Sequence, residues 1–410
     1  MRMGSSDVDV IVVGGGLGGA AIALGLARRG ISVAVVDKAD FPRDKPCGEG
    51  LLPHGLELLD RLGCGDVVAL CGGQPFVGIL YHCHGVVARG DFEGGARGRG
   101  IRRRHLDAAM RARAASAGAT LVHAGATDVA TDRDGVTVTL DNETTLRGRL
   151  LVGADGPRSM VRHRLGLDGG PPRTPRFALR QHFRLNPGSP MPERVEVHVA
   201  GGHELYVTPV ENDVVGIAAL VEKPLMTGAV GPPDARLMSL IQGCEPLRQR
   251  LLGAEPIDRA LACGPLRVKS KAVWQGRAVL IGDAAGYVDA ITGEGMSLAL
   301  KTASLAEDAI ARILATDGSP VDVDTAFGAY ASARGSAFRD HAILTHGLVT
   351  LARHPYFARR AIARLARDPA LFTRLLAVNN GTRTLLSLGL VNALKLAVGS
   401  TPPRLALAPA

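Results

Sequence analysis

The 410-residue chain reads as an α/β protein: a doubly wound parallel sheet, interrupted by an inserted antiparallel sheet and followed by a C-terminal helical region. Three observations predict this. Between Val8 and Asp37, an apolar run, a glycine cluster, a small-residue helix and a second apolar run follow one another, the signature of a βαβ unit. From Phe177 to Leu220 the pattern shifts to the alternation of half-buried strands. From about Tyr330 the chain turns helical, with breaks at Pro355 and Pro369.

Taken in order, Val8 to Val13 is a buried strand stopped by glycines, and Leu17 to Arg29 is a helix that ends at Gly30. Ile31 to Val36 is the second strand, closed by Asp37. A turn-rich loop runs from Phe41-Pro42 to Pro53-His54, and Arg104 to Ala117 is a helix. Val136 to Leu140 and Leu146 to Val152 are strands around the turn-forming Asp141-Asn142. Ala278 to Ile281 is again a buried strand, with a helix from about Glu294 to Leu314. The pattern assigns 1–75, 98–176 and 269–330 to a discontinuous nucleotide-binding domain. It assigns 76–97 and 177–268 to an inserted substrate domain, and 331–410 to the helical region.

An apolar fraction of 46% and 24 prolines fit an ordered globular chain. The six cysteines lack CxxC spacing, and no charged segment leads into an apolar leader, which together predict free thiols in a reducing cytoplasm. Tyr81-His82-Cys83-His84 reads as a strand with incidental polar residues, so no metal is expected. The net charge of +9 does not point to nucleic acid, because aromatics are only 4% and no recognition motif is present. The charge sits late: Arg353, Arg359, Arg360, Arg364, Arg367, Arg374 and Arg383 face only Asp368. The longest late apolar run, Leu385 to Ala397, is interrupted by Asn392 and Lys395 and is too short to span a bilayer. Two readings of these helices stay open, packing with a solvated basic face or covering a lipophilic substrate with peripheral contact to an anionic membrane.

Gly14-Gly15-Gly16-Leu17-Gly18-Gly19 satisfies GxGxxG at Gly14, Gly16 and Gly19. Gly14 permits the tight turn, Gly16 lets the backbone approach a diphosphate, and Gly19 lets the helix pack close to the sheet. Leu17 and Gly18 open the helix, whose free N–H groups and dipole attract the anion. Asp37, followed by Lys38, sits where a carboxylate accepts hydrogen bonds from an adenosine ribose. This unit alone does not distinguish FAD from NAD.

Two later segments do. Leu151-Val152-Gly153-Ala154-Asp155-Gly156-Pro157-Arg158-Ser159 resembles the "DG" signature of flavoprotein hydroxylases, and Gly282-Asp283-Ala284-Ala285-Gly286 resembles their "GD" signature, in the same chain order. The chain therefore resembles the p-hydroxybenzoate hydroxylase-like flavoproteins from about Val8 to Leu314. The resemblance implies a Rossmann-type FAD-binding domain. It implies that Asp283, after Gly282, holds the ribityl chain, and that Asp155 lies near the diphosphate and the route of the nicotinamide nucleotide. It also implies that Arg104, with Asp107, touches the flavin side, although Arg102 and Arg103 fit the same motif. In Thr292-Gly293-Glu294-Gly295-Met296, Gly293, Gly295 and Met296 bring a helix start to the flavin pyrimidine edge, where the dipole stabilises negative charge on the reduced ring. Lys45-Pro46-Cys47-Gly48-Glu49-Gly50 resembles the family's loop over the flavin, with Cys47 and Gly48 facing it. For Cys47, flavin tuning or gating and ordinary apolar packing both remain open.

Within this family, a halogenase reading fails on Trp274, the one tryptophan, which is misplaced. Glu204-Leu205-Tyr206-Val207-Thr208-Pro209 keeps the Tyr and Pro of the geranylgeranyl reductase strand but not its Trp and Phe. The chain is more similar to polyketide-tailoring and quinone-forming monooxygenases. That resemblance implies an FAD-dependent monooxygenase in which NAD(P)H reduces FAD, O2 adds, and a flavin C4a-hydroperoxide hydroxylates an aromatic or polyketide-like ring. With one complete GxGxxG, NAD(P)H docks only transiently. The alternatives are a flavin-dependent C=C reductase of the geranylgeranyl reductase type and a non-catalytic flavin-binding protein. A catalytic base is not fixed. His182, His203 and Tyr206 are the candidates, and Phe177 to Leu185 places Arg180, His182 and Arg184 on one strand face.

Overall fold

The structure, a computed structural model, describes residues 7–172, 174–228, 231–389 and 400. β1 (Val8–Val13), α1 (Leu17–Arg28) and β2 (Val33–Asp37) form the expected βαβ unit. A hairpin of β3 (Gly78–Cys83) and β4 (Val86–Asp91) follows, then α2 (Arg103–Ser116), β5 (Thr120–His123) and β6 (Thr145–Gly153). The inserted region holds β7 (Arg176–Arg184), β8 (Val195–Ala200), β9 (His203–Glu211) and β10 (Val214–Glu222), with α3 (Pro233–Gln242) and α4 (Glu245–Arg250). The chain returns through β11 (Ala278–Leu280) and α5 (Gly295–Leu314), then runs into α6 (Pro320–Ala352), α7 (Pro355–Arg367) and α8 (Pro369–Asn379).

The first sheet has the parallel order β11-β6-β1-β2-β5. Its alternation divides two cores. Val10 and Val12 face α1, which packs between α2 and α5, while Ile11 and Val13 face the 126–140 hairpin. The second sheet, β7-β10-β9-β8-β3-β4, is antiparallel except where β8 lies parallel to β3. Leu205, Val207, Val215 and Ile217 pack its outer face against α3, and the opposite face carries Tyr206, Ala218 and Leu220. The fold class is thus the expected α/β architecture with an inserted, mostly antiparallel sheet and C-terminal helices.

Those helices start on local signals. Ser319 and Asp322 form a capping box ahead of Pro320, so α6 begins ten residues before the expected Tyr330 and is 33 residues long. Asp368 accepts from the Leu371 N–H ahead of Pro369. The loop expected to extend to Pro53-His54 gives way to a short helix, Pro53–Arg61. The expected apolar run 385–397 falls mostly outside the described residues. Among the described residues, no helix is long and apolar enough to cross a membrane.

Candidate active site

One cavity of about 1510 Å³ joins the two sheets and the C-terminal helices. That exceeds the roughly 300–1,000 Å³ of a site for one small ligand, so it has room for a dinucleotide and a second molecule. At one end lies the glycine turn. Gly14 has φ +104°, and a Cβ there would stand 2.5 Å from the Ala154 carbonyl oxygen; a Cβ on Gly19 would stand 1.8 Å from the Gly14 carbonyl. Side chains at either position would push α1 off the sheet. Gly14, Gly16, Leu17 and Gly18 line the cavity, whereas Gly19 packs behind them. The first turn of α1 has no side-chain cap and no acidic residue, which leaves its N–H groups for an anion.

Asp37 lines the cavity beside Lys38, and its carboxylate accepts from Gly15 N at 2.7 Å and Ala39 N at 2.9 Å, holding the turn in shape. Arg111 stacks on Phe41, with its guanidinium carbon 4.3 Å from the ring centroid, and its buried Nη1 beside Gly15 has no hydrogen-bond partner. Asp155 also lines the cavity. One of its oxygens accepts from Met160 N at 2.7 Å and the other is buried and unpartnered. Asp283, after Gly282, lies 3.7 Å from Lys45 Nζ across the cavity. Gly293, Gly295 and Met296 complete this end at the start of α5, and Cys47 and Gly48 cover it from the opposite loop.

The arginine that reaches the cavity is Arg103, not Arg104. Arg103 is buried and bidentate on Asp107, with both contacts at 2.8 Å, beside Cys47. Arg104 does not line the cavity: one residue further along a helix turns a side chain by about 100°, and its Nε is buried without a partner.

The weak base candidates fare differently. His182 is fully buried and does not line the cavity. Its Nε2 is 2.5 Å from Glu49 Oε2 and its Nδ1 is 2.6 Å from Asp258 Oδ2. Burial pushes the imidazole down, but the two carboxylates outweigh this and raise it. With both nitrogens engaged, His182 is a clamp on the Glu49 loop and not a base facing a substrate. Tyr206 does line the cavity and donates to the Ile291 carbonyl at 3.3 Å. Burial raises its phenol well above the ordinary range, so it stays protonated and acts as a donor. His203 lies outside the cavity wall.

A group that sequence reasoning passed over titrates here. Glu204 lines the cavity and is pushed up to about 7 by burial, against the pull of Arg176 and with the push of Asp289. Arg176 bridges the two carboxylates, contacting Glu204 and lying 2.9 Å from Asp289 Oδ1.

Beyond this point the cavity is apolar. Ile79, Tyr81 and Val197 line it from the sheet, and Leu348, Ile362 and Leu376 from α6, α7 and α8.

Comparison with known proteins accords with this geometry. The family described as "FAD binding domain" matches residues 7–334. The chain is 31% identical over 317 residues to a menaquinone reductase of Mycobacterium tuberculosis, covering 74% of this chain and 76% of that one. It is 34% identical over 189 residues to a ubiquinone hydroxylase of Rhodospirillum rubrum, covering 40% and 41%. Its fold matches a flavoprotein/dehydrogenase from Cytophaga hutchinsonii with a TM-score of 0.79 at 22% identity, over 91% of this chain and 92% of that one.

Proposed function

Since this chain belongs to the FAD binding domain family, among the p-hydroxybenzoate hydroxylase-like flavoproteins, and is an FAD-dependent oxidoreductase, we propose that it is an NAD(P)H-dependent monooxygenase. Its substrate is an electron-rich ring carrying a long apolar tail. The observation that carries this is the continuity of one cavity from the glycine turn, past Cys47 and Gly293, to the apolar passage between the sheet and α6–α8.

The residues fit FAD: a cradle that any Cβ would fill, an uncapped helix start, and the unpartnered buried atoms of Arg111 and Asp155. Gly14, Gly16, Leu17 and Gly18 hold the diphosphate, Asp37 the adenosine ribose, Asp283 the ribityl chain, and Gly293 to Met296 the ring edge. When bound, FAD supplies hydride acceptance from NAD(P)H and activation of O2. The chain does the rest. The sheet face and the three helices exclude water and align the tail, which fixes the ring against the flavin end. Glu204 takes the proton of a ring hydroxyl, which makes the ring a better nucleophile, while the Tyr206 hydroxyl orients it.

A second reading, reduction of a C=C bond in an isoprenoid tail, draws on the likeness to menaquinone reductase and on the same apolar passage. Phenols of graded tail length test the proposal. We expect NAD(P)H oxidation and O2 uptake to rise together with tail length through a falling KM. Turnover that proceeds equally well without oxygen would support the second reading. A protein-bound flavin that NAD(P)H does not reduce with any tailed phenol would support a non-catalytic role.

A further inference from the structure

The outer face of the inserted sheet, turned away from the cavity, carries a polar cluster that the flavin chemistry does not use. His82 of β3 and His198 of β8 are register partners on parallel strands, and Glu196, two residues before His198, projects to the same side. The two imidazoles stack, with centroids 4.5 Å apart and planes within 12°. One ligand atom from each of His82, Glu196 and His198 lies within 4.8 Å of the others, and His198 Nε2 is 3.7 Å from Glu196 Oε2.

The cluster is incomplete as it stands. His82 Nε2 and both ring nitrogens of His198 are buried without a hydrogen-bond partner, and His198 is only 5% exposed. Unpaired polar atoms in a dry interior are unfavourable, and native proteins rarely leave several together. The other histidine–carboxylate group, Asp44, His182 and Asp258, is different. There Arg180 Nη1 stands 3.0 Å from Asp258 Oδ2 and 2.7 Å from His182 Nδ1 and supplies the cation. In the outer cluster the cation is Arg250, which donates to both oxygens of Glu196 and to the Pro190 carbonyl but leaves the imidazole nitrogens unbonded.

We propose that His82, Glu196 and His198 bind a zinc ion that ties β3 to β8. Two imidazoles and a carboxylate are a donor set that a borderline-soft, tetrahedral ion takes, with water as the fourth ligand. Arg250 takes the usual place of an outer partner that orients a ligating carboxylate. The site joins two strands of one sheet through three protein ligands and leaves one position to water. It shares no residue with the flavin reading, so either can fail without the other.

Zinc content of the full-length flavoprotein, purified without chelator, tests this. We expect about one zinc per chain, falling at least tenfold in His198→Ala and in His82→Ala, with the FAD-to-protein absorbance ratio unchanged. Cobalt in place of zinc should show d–d bands to the red of the flavin. Removing zinc from the unaltered protein with a chelator and adding cobalt back should give the same bands, a readout that holds even if the alanine variants fold poorly. Flavin-loaded protein that retains no zinc and develops no cobalt bands would overturn the proposal and leave an ordinary ion pair between protonated His198 and Glu196.

Discussion

At the scale of single residues, the site is built from atoms that tolerate no change and atoms that titrate. Gly14 belongs to the first kind, since its φ of +104° and the 2.5 Å approach of the Ala154 carbonyl leave no room for a methyl group. Gly14→Ala is expected to reduce FAD content at least tenfold, measured from the flavin absorbance of purified protein, and an alanine variant that keeps its flavin would contradict the cradle. Glu204 belongs to the second kind. Burial raises its carboxyl to about 7, so it gains its charge only as pH rises through that value. If it accepts the substrate proton, kcat/KM increases with pH across about 6–8, and Glu204→Gln lowers the rate and removes that slope. An unchanged slope in the variant would remove Glu204 from the chemistry. Local residues such as Gly14, Gly16 and Asp37 were legible in the sequence because their partners are close along the chain or fixed by one βαβ unit. His182 was not. Its clamps, Glu49 and Asp258, lie 133 and 76 residues away, and strand alternation cannot name partners at that range. The pairing of Glu204 with Arg176 and Asp289 was hidden for the same reason.

At the scale of elements, the passage between the inserted sheet and the C-terminal helices depends on close packing. Phe372 of α8 is fully buried and stacks on Tyr81 at 5.5 Å, over Gly90 of β4, where a Cβ would stand 2.6 Å from its ring. Phe372→Ala is expected to cost about 3–5 kcal/mol in chemical denaturation and to weaken binding of long-tailed substrates more than that of bare rings. Equal loss for both would place the tail elsewhere. The elements themselves were mostly legible, because apolar period and Pro breaks act locally. The start of α6 is written in Ser319-Pro320 and Asp322, a capping signal that apolar periodicity alone does not show. Which of three consecutive arginines faces the cavity was not legible, because a helix start uncertain by one residue rotates all three. The sequence groups 76–97 with 177–268, but the parallel register of β3 on β8 rests on long-range pairing that only the folded chain reveals.

For the whole molecule, the arrangement is a dinucleotide cradle on one sheet facing an apolar passage on another, with α6, α7 and α8 closing the far wall. A cradle and a dry channel serve either proposed reaction, hydroxylation of the ring or saturation of the tail, and the two differ in whether oxygen enters the product. Isotopically labelled dioxygen measures that difference directly. With NAD(P)H and a long-tailed phenol, the account predicts one labelled oxygen atom in each molecule of product. An unlabelled product formed at the same rate without oxygen, with a double bond of the tail saturated, would contradict it.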